Sequence, residues 1–556
     1  MEERPWHRHY DYNVPITVRV PRIAVHELIQ IPANTYPDKA ALNFFGTEIT
    51  FLELRGLVMR FANALGSLGV RKGERVGIHL PNCPQYPIAY YAALSLGAIV
   101  VNLNPMYTAE ELKLMATTTD LTTLITFDMA LPAIRFLCKE VHIPRVIVTK
   151  ITDYIKGMGL STADSLDLEK GWHHFSSLIE SVQTFKNPRV QVNPEDPALI
   201  QFTGGTTGIP KGAVLTHGNV VGATLRGALW GSATNMLTSY EKRNVIAVLP
   251  YFHVYGNIGV MNWAFFSCAT QIMIPRFQID EFMGILANFR EITYFPSVPT
   301  MINAVINHPK AAELDLGRKL GMLNSGAAPM PVEMIEQIKD MGIFFGEGYG
   351  LTESSALGIS NPILGMKKVG SIGIPFIDND VRLVSVKDGV TDVKQGEPGE
   401  IIMKSPFIMQ GYWNNPQETA GQLKEGWLYT GDIAVQDEDD YFFIVDRKKD
   451  MIIAGGFNIY PREIDEVLFQ HPKVQEAVAV GIADRYRGET VKAFIVLKPG
   501  ETATEEEIIT FCREKLAAYK VPKLVEFRSS LPKSAIGKVL RKILREEEIT
   551  KKGKLS

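Results

Sequence analysis

A chain of 556 residues, 46% hydrophobic and 21% charged, has ordinary globular composition and the length of roughly three or four domain-sized units. Its net charge of −3 offers no global field for a polyanion, which argues against a nucleic-acid partner. The four cysteines (Cys83, Cys138, Cys268, Cys512) are too scattered for a metal knuckle or a disulfide framework, so a reducing, cytoplasmic setting is expected.

The N-terminal residues are polar and show no apolar signal core. Over 52–69, Leu54, Leu57, Val58, Phe61, Leu65 and Leu68 recur at helical spacing and Gly69 stops the run. Strands are predicted at 75–80, 98–103 and 122–127. A buried helix is predicted over 84–97, and another, through 116, capped by Thr108 with Glu111 closing a capping box. Such alternation points to a parallel sheet with helices on both faces. Residues 151–194 read as a polar, irregular excursion.

Two apolar runs, 198–202 and 213–216, flank Thr203-Gly204-Gly205-Thr206-Thr207-Gly208-Ile209-Pro210-Lys211-Gly212. The pattern reads as strand, loop, strand. Glycines bring backbone N–H groups close to a ligand, and the threonine hydroxyls and Lys211 add donors suited to phosphate oxygens. A Walker A loop would need Gly-Lys-Ser/Thr opening a helix, and here Gly212 follows the lysine.

Residues 244–275 carry no Asp, Glu, Lys or Arg, but Pro250, Gly256, Gly259 and several polar side chains break them into buried strand, loop and helix rather than a membrane span. Strands follow at 245–249, 271–274, 292–295 and 320–324, and helices at 280–290, 298–307 and 331–341. A β-rich stretch begins near 370, with strands at 400–403 and 441–445. After the charge-dense 446–450 comes an α+β unit of about one hundred residues, a plausible domain by size. It holds helices over 462–470 and from Thr504 to 518, strands at 474–482, 490–497 and 521–527, and a charged helix from 536 onward. The basic end, Lys551-Lys552-Gly553-Lys554, reads as a solvated tail and leaves peripheral membrane contact open.

Further signatures follow the loop in order. They are Pro250-Tyr251-Phe252-His253-Val254-Tyr255-Gly256, Asn324-Ser325-Gly326-Ala327-Ala328-Pro329, Gly348-Tyr349-Gly350-Leu351-Thr352-Glu353, Tyr429-Thr430-Gly431-Asp432, Asp446-Arg447-Lys448-Lys449-Asp450, Gly455-Gly456-Phe457-Asn458-Ile459-Tyr460-Pro461 and Leu531-Pro532-Lys533-Ser534-Ala535-Ile536-Gly537-Lys538. Together they resemble the adenylate-forming superfamily of acyl-CoA synthetases, adenylation domains of peptide synthetases and beetle luciferase. Within it they lean toward medium/long-chain fatty acid–CoA ligases. The resemblance implies an α/β fold. A large N-terminal domain of two stacked α/β sheets plus a β-rich subdomain (370–447) would span 1–447, with a hinge at 448–450 and a small mobile α+β C-terminal domain at 451–556.

It also implies a reaction. A carboxylate attacks the α-phosphorus of ATP, pyrophosphate leaves, and CoA takes the acyl group from the acyl-AMP. Two anions must meet, so positive charge has to bridge them. Lys538 resembles the bridging lysine. Glu353, a hard oxygen ligand, matches the Mg²⁺ position with Thr203 beside it, and Thr352 the α-phosphate donor. Loop residues Thr203, Gly204, Gly205, Thr206, Thr207, Gly208 and Lys211 would grip the triphosphate. Gly326, Ala327, Ala328, Glu347, Gly348 and Tyr349 would enclose adenine and AMP, and Asp432 with Arg447 the ribose. His253 would edge the reacting carboxylate. Tyr255, Val298, Gly326 and Leu357 would line the acyl pocket, with Trp230 and Met261 as further apolar candidates. Lys449 matches the hinge position. Gly455 and Gly456 would line the pantetheine tunnel of CoA, and Asn458 would contact the adenylate.

Two positions depart from the pattern. Gly205 replaces a frequent loop hydroxyl, and Asn257 stands where some long-chain members carry a tryptophan gate. The expected partners are a small carboxylic acid and CoA, with oligomerisation open. Three alternatives stand beside fatty acid activation: ligation of a cyclic (aromatic or alicyclic) acid, loading of a carrier protein, and a non-catalytic nucleotide sensor. No carrier domain follows Lys538, and the short 432–446 segment leaves no room for the insertion that marks fatty acyl-AMP ligases.

Overall fold

Strands apolar on both faces need cover on both sides, and the largest sheet obtains it from helices. The computed structural model describes residues 4–155, 166–183, 186–203, 210–233, 238–454, 457–484, 487–534 and 537–553, with backbone alone at 457, 458, 552 and 553. Its eight-stranded sheet runs Gly411–Tyr412, Lys211–Thr216, Pro197–Thr203, Ile99–Asn102, Arg75–Ile78, Thr123–Phe127, Arg145–Thr149, His173–His174. Pairs from Pro197–Thr203 to His173–His174 are parallel. Lys211–Thr216 pairs antiparallel with both neighbours. Helix Gln85–Ser95 packs with every residue buried, which is why its sequence shows no polar face. Thr50 and Thr108 cap Phe51–Ser67 and Ala109–Thr118 in complete capping boxes.

A second sheet places Phe295–Ser297, Leu323–Ser325 and Phe345–Tyr349 in parallel, and Ile359–Ser360 and Ile374–Pro375 continue it antiparallel. A four-stranded sheet of Asn244–Ala247, Thr270–Met273, Ala40–Phe44 and Thr47–Thr50 meets it through a parallel bridge between Val245 and Tyr294. The β-rich part is a sheet of Asp380–Val384, Gly399–Lys404, Trp427–Gln436 and Leu423–Lys424, with Phe442–Arg447 paired onto Trp427–Gln436. The last sheet joins Phe457–Ile459, Ile452–Ala454, Gly488–Leu497, Val474–Asp484 and Leu524–Phe527. Its own core gathers Ile452, Ile464, Leu468, Val491, Ile495 and Ile508.

Several elements differ from the sequence expectation. The strand expected at 292–295 forms as Phe295–Ser297, and Ile292 keeps only an isolated bridge to Leu320. The "irregular" 151–194 contains helix Phe175–Glu180. The charged helix expected from 536 starts at Arg541. Gly537 adopts φ +75° and Lys533 bridges Val539, so Lys538 lies in a turn before the helix. Helix His217–Trp230 was not foreseen, because Gly218, Gly222 and Gly227 lower its propensity. Packing requires one of them: a Cβ on Gly222 would stand 2.1 Å from the Phe407 ring.

Candidate functional site

The flanks of the glycine loop form as the sequence reading expects. Thr203 and Lys211 are the last paired residues of an antiparallel hairpin at the edge of the parallel strands. Gly204, Gly205, Thr206, Thr207 and Gly208 lie outside the described residues, as do Gly455 and Gly456; for Asn458 only the strand position, opposite Ile453, is described. A buried polar chain fixes what lies beside the hairpin. Tyr86 donates to Asn102, Asn102 to Gln201, and Gln201 Nε2 to the Phe252 carbonyl at 2.6 Å. Buried polar groups of this kind are costly unless paired, so the chain locks the residue before His253 to the strand that ends in Thr203.

His253 is half-buried, and its Nδ1 accepts the Tyr255 N–H at 3.2 Å. Burial, assisted by the Lys538 ammonium, lowers its pKa to about 4, so it is a neutral imidazole at pH 7. Tyr255 opens a π-helical segment, Tyr255–Asn262, and its hydroxyl accepts from Asn324 Nδ2 at 2.9 Å. The ring is wedged between two glycines: a Cβ on Gly259 or on Gly326 would stand 2.9 Å from it. Asn257 is fully buried and bonded to Tyr90 and the Tyr251 carbonyl, so it belongs to the core.

Gly326 also faces the Gly348 carbonyl, which brings the 326–328 and 348–349 segments together. Ala327 holds φ +66°, a strained conformation for a residue with a Cβ. Glu347 turns inward beneath this loop. Its Oε1 accepts the Met330 N–H at 3.1 Å, its Oε2 has no described partner, and burial raises its pKa to about 7 against the lowering effect of Arg462. Val298 is buried, and Leu357 packs where a Gly227 Cβ would be, at 3.3 Å. Met261 is buried in the main core. Trp230 is committed to another cluster, stacked on Phe376 with ring centroids at 4.4 Å and bonded to the Asn361 carbonyl.

The charged residues converge from separate elements. Asp432 is 4% exposed; Arg447 Nε meets its Oδ1 at 3.0 Å and the Tyr349 hydroxyl donates to its Oδ2 at 2.6 Å. Lys538 comes to them from the tail module, the unit built on the last sheet described above. Burial, with Arg447 next in weight, pushes its ammonium down to about 7, and Asp432 partly offsets this. Gly537 permits the approach, since a Cβ there would stand 2.3 Å from Thr300 Oγ1. Thr300 lies on helix Pro299–Ile306, next to Val298. Arg462, from the tail module, seals the same seam through Asp446 Oδ2 and the Ile444 carbonyl. Lys449 is in electrostatic reach of Arg447, Asp432 and Lys211.

A third group lies at the mouth of the hairpin. Glu353 Oε1 accepts from the Tyr412 hydroxyl at 2.7 Å. Lys211 pairs with Glu418 at 2.5 Å and lies 5.3 Å from the centre of the Tyr412 ring. Thr352 is half-buried in the short turn Thr352–Ser354 beside Glu353. Among the described residues no three His, Cys, Asp or Glu side chains gather as an ion cage. The donor set still fits Mg²⁺, which is commonly bound through one carboxylate plus substrate phosphates and water, and Glu353 Oε2 takes no bond from a described residue.

The sequence reading missed Gln201, Thr300, Tyr412 and Glu418, and it placed Asn324 in a motif without giving it a role. Gln201, Asn324, Tyr412 and Glu418 each bond to a neighbour at the site, and Thr300 packs against Gly537. Tyr412 and Glu418 lie between the motifs, and Tyr412 reaches the site because Gly411–Tyr412 pairs onto Lys211–Thr216.

Comparison with known proteins gives concordant matches. Residues 29–413 match the family described as AMP-binding enzyme, and residues 463–538 the AMP-binding enzyme C-terminal domain. A long-chain-fatty-acid–CoA ligase of Bacillus subtilis (strain 168) is 40% identical over 98% of each chain. A 4-coumarate–CoA ligase of Oryza sativa subsp. japonica is 32% identical over 94% of this chain and 92% of its own. The crystal structure of an anthranilate CoA ligase in complex with anthranoyl-AMP superposes with a TM-score of 0.85 at 26% identity, covering 96% of this chain and 99% of that one.

Proposed function

The chain belongs to the AMP-binding enzyme family, and from that premise we propose that it is an AMP-forming acid–CoA ligase that activates a medium- or long-chain fatty acid. The carboxylate attacks the α-phosphorus of ATP, the bond to the β,γ-pyrophosphate breaks, and acyl-AMP forms. The CoA thiol, losing its proton, then attacks the acyl carbonyl and AMP leaves. One observation carries the reading: an ammonium on a separate module is delivered, through a glycine that alone fits against Thr300, to the Asp432–Arg447 cluster beside His253.

In this reading Asp432 accepts from the ribose hydroxyls and Arg447 donates to the same sugar. Thr203, Lys211 and the glycine loop hold the triphosphate, and Thr352 donates to the α-phosphate. Glu353, oriented by Tyr412, would hold Mg²⁺, which when bound offsets the triphosphate charge. Gly326, Ala327, Ala328 and Gly348-Tyr349 flank adenine. The acyl chain runs past Tyr255, Val298 and Leu357. The tail module, 451–556, turns about 448–450 between half-reactions, and Gly455, Gly456 and Asn458 meet pantetheine and adenylate. The four cysteines are unpaired, and no helix among the described residues is long and apolar enough to cross a membrane. We assign the enzyme to the cytoplasm on its scattered, unpaired cysteines and its need for ATP and CoA.

A cyclic acid is the second reading, favoured by likeness to the rice ligase. A pyrophosphate-exchange panel of straight-chain, branched and cyclic acids, followed by thioester assay with CoA and with a phosphopantetheinylated carrier, tests all readings. Exchange with long straight-chain acids and thioester on CoA is expected. Exchange with cyclic acids alone, thioester on the carrier alone, or no exchange would each overturn it in a different direction.

Two further outcomes are expected. Gly537→Ala should slow acyl-AMP formation about tenfold or more, because the added methyl meets Thr300 and the left-handed turn resists a Cβ. Thr300→Ala in the same chain should return part of the rate, and its failure to do so would place the defect in the turn alone. The second outcome concerns pH. Only the ammonium form of Lys538 can bridge two anions, and its pKa is lowered to about 7. The charged form therefore prevails below that value and is lost above it. Since kcat/KM reports groups of the free enzyme, kcat/KM for ATP in adenylation should fall as pH rises through about 7. A profile flat to pH 9 would contradict the assignment.

A further inference from the structure

Glu400 belongs to none of the motifs above, yet it is 4% exposed, on strand Gly399–Lys404. Its two oxygens serve different segments. Oε1 accepts the Gly431 N–H at 3.1 Å, and Oε2 accepts the Lys448 ammonium at 2.9 Å. Gly431 holds φ +72°, a conformation that favours glycine, and this turn carries Asp432 into its cluster with Tyr349 and Arg447. The Gly431 carbonyl in turn accepts the Lys448 N–H at 2.9 Å. Gly431 is thus tied on one side to Glu400 and on the other to Lys448, and Lys448 is tied to both.

Lys448 also stands where the chain begins to cross to the tail module. Just beyond it both sides hold the chain: the N–H groups of Asp450 and Met451 return to the Arg447 carbonyl, while Arg545, on helix Arg541–Gly553, donates to the carbonyls of Lys449 at 3.2 Å and Asp450 at 3.0 Å. The Lys448 side chain is 44% exposed and borders a cavity of about 300 Å³ with Lys387, Gln422 and Tyr429, so it has room to move. The Glu400 side chain lines the same cavity but is only 5% exposed and is held at both oxygens. A carboxylate this buried is costly once a partner leaves, so a shift of Lys448 is felt at Gly431.

We propose that Glu400 is a positioning residue that couples the seating of the nucleotide at Asp432 to the hinge through Lys448. This rests on the nucleotide reading of the site given above. It predicts that a residue pointing away from the nucleotide changes the nucleotide's KM.

The test is the KM for ATP in pyrophosphate exchange, measured with the thermal midpoint for the full-length chain, Glu400→Ala, Lys448→Met, Glu400→Gln and the Glu400→Ala/Lys448→Met double variant. Glu400→Ala should raise the KM about tenfold, the scale of one charge-assisted hydrogen bond, with kcat changed far less. Lys448→Met should raise it severalfold, and the double variant should be no worse than Glu400→Ala, since coupled residues do not add. Glu400→Gln keeps an oxygen for Gly431 and loses the ion pair, so it should match Lys448→Met. A Lys448→Met KM equal to the unsubstituted enzyme, single effects that multiply in the double variant, or a lowered midpoint with unchanged KM would overturn the coupling. If Glu400→Ala does not fold, the Glu400→Gln and Lys448→Met pair decides, and a mismatch overturns it. Absence of exchange in the unsubstituted enzyme would overturn the nucleotide reading instead, so the two failures are distinct.

Discussion

With Lys538→Ala, acyl-AMP formation is expected to fall by about 10²–10³-fold, the usual scale for removing one preorganised electrostatic donor. Thioester formation from supplied acyl-AMP and CoA should largely survive. The asymmetry follows from what each step requires. Joining a carboxylate to a triphosphate brings two anions together. At about 4 Å and an effective dielectric near 20, each unit pair costs about 4 kcal/mol, or about three decades in rate if nothing offsets it. Lys538 is a cation in reach: its turn is seated on Thr300, and its charge is felt by His253. In the second step a neutral thiol, losing its proton, meets a mixed anhydride that is already activated, and no such bridge is needed. Single-turnover assays with ATP plus acid, and separately with acyl-AMP plus CoA, measure the two. Equal losses in both would remove the bridging role and leave Lys538 a structural residue.

Lys449→Pro is expected to do the reverse, slowing thioester formation on the order of tenfold or more while acyl-AMP formation changes little. The Lys448 N–H closes the last ladder bond of the large domain, to the Gly431 carbonyl. The N–H groups of Asp450 and Met451 return to the Arg447 carbonyl at 2.9 and 3.1 Å, making one turn across the junction. Reorienting the tail module has to change dihedrals inside that turn. Proline fixes φ near −65° and restricts the residue before it, so it removes the freedom where a rotation would be spent. Lys449→Ala, which keeps that freedom, serves as the control. A ratio of half-rates equal to that control would take the hinge away from this position.

The polar seam explains why a static arrangement can be read so specifically. Gly537 against Thr300, Arg462 on Asp446 and Ile444, and Lys538 near Asp432 all join the tail module to the large domain. Gly537 with Thr300 and Lys538 with Asp432 join segments far apart in the chain, Arg462 reaches back only to 444 and 446, and all of these contacts are lost together if the module turns. The reaction scheme and the hinge test therefore probe one feature from two sides.

Much of the chain was legible because its signals are local. The capping boxes at Thr108 and the cap at Thr504 needed only side chains that reach their own next turn. The alternation of apolar runs gave the parallel sheet, and the ordered motifs pointed to Thr203, Glu353, Asp432, Arg447 and Lys538. Tertiary structure decided the rest. It moved Lys538 off the expected helix into a turn, because Gly537 is spent on a close approach to Thr300 rather than on helix formation. It built His217–Trp230 in spite of three glycines, because one of them makes way for Phe407. It also enlisted Tyr412, Gln201 and Glu400, whose types are unremarkable until a strand pairing or a buried hydrogen bond gives them a partner. Periodicity and caps act within a turn or two of helix and are written in neighbouring letters. Steric exclusion and buried-charge pairing act between segments tens to hundreds of residues apart, and only the folded chain sets those distances.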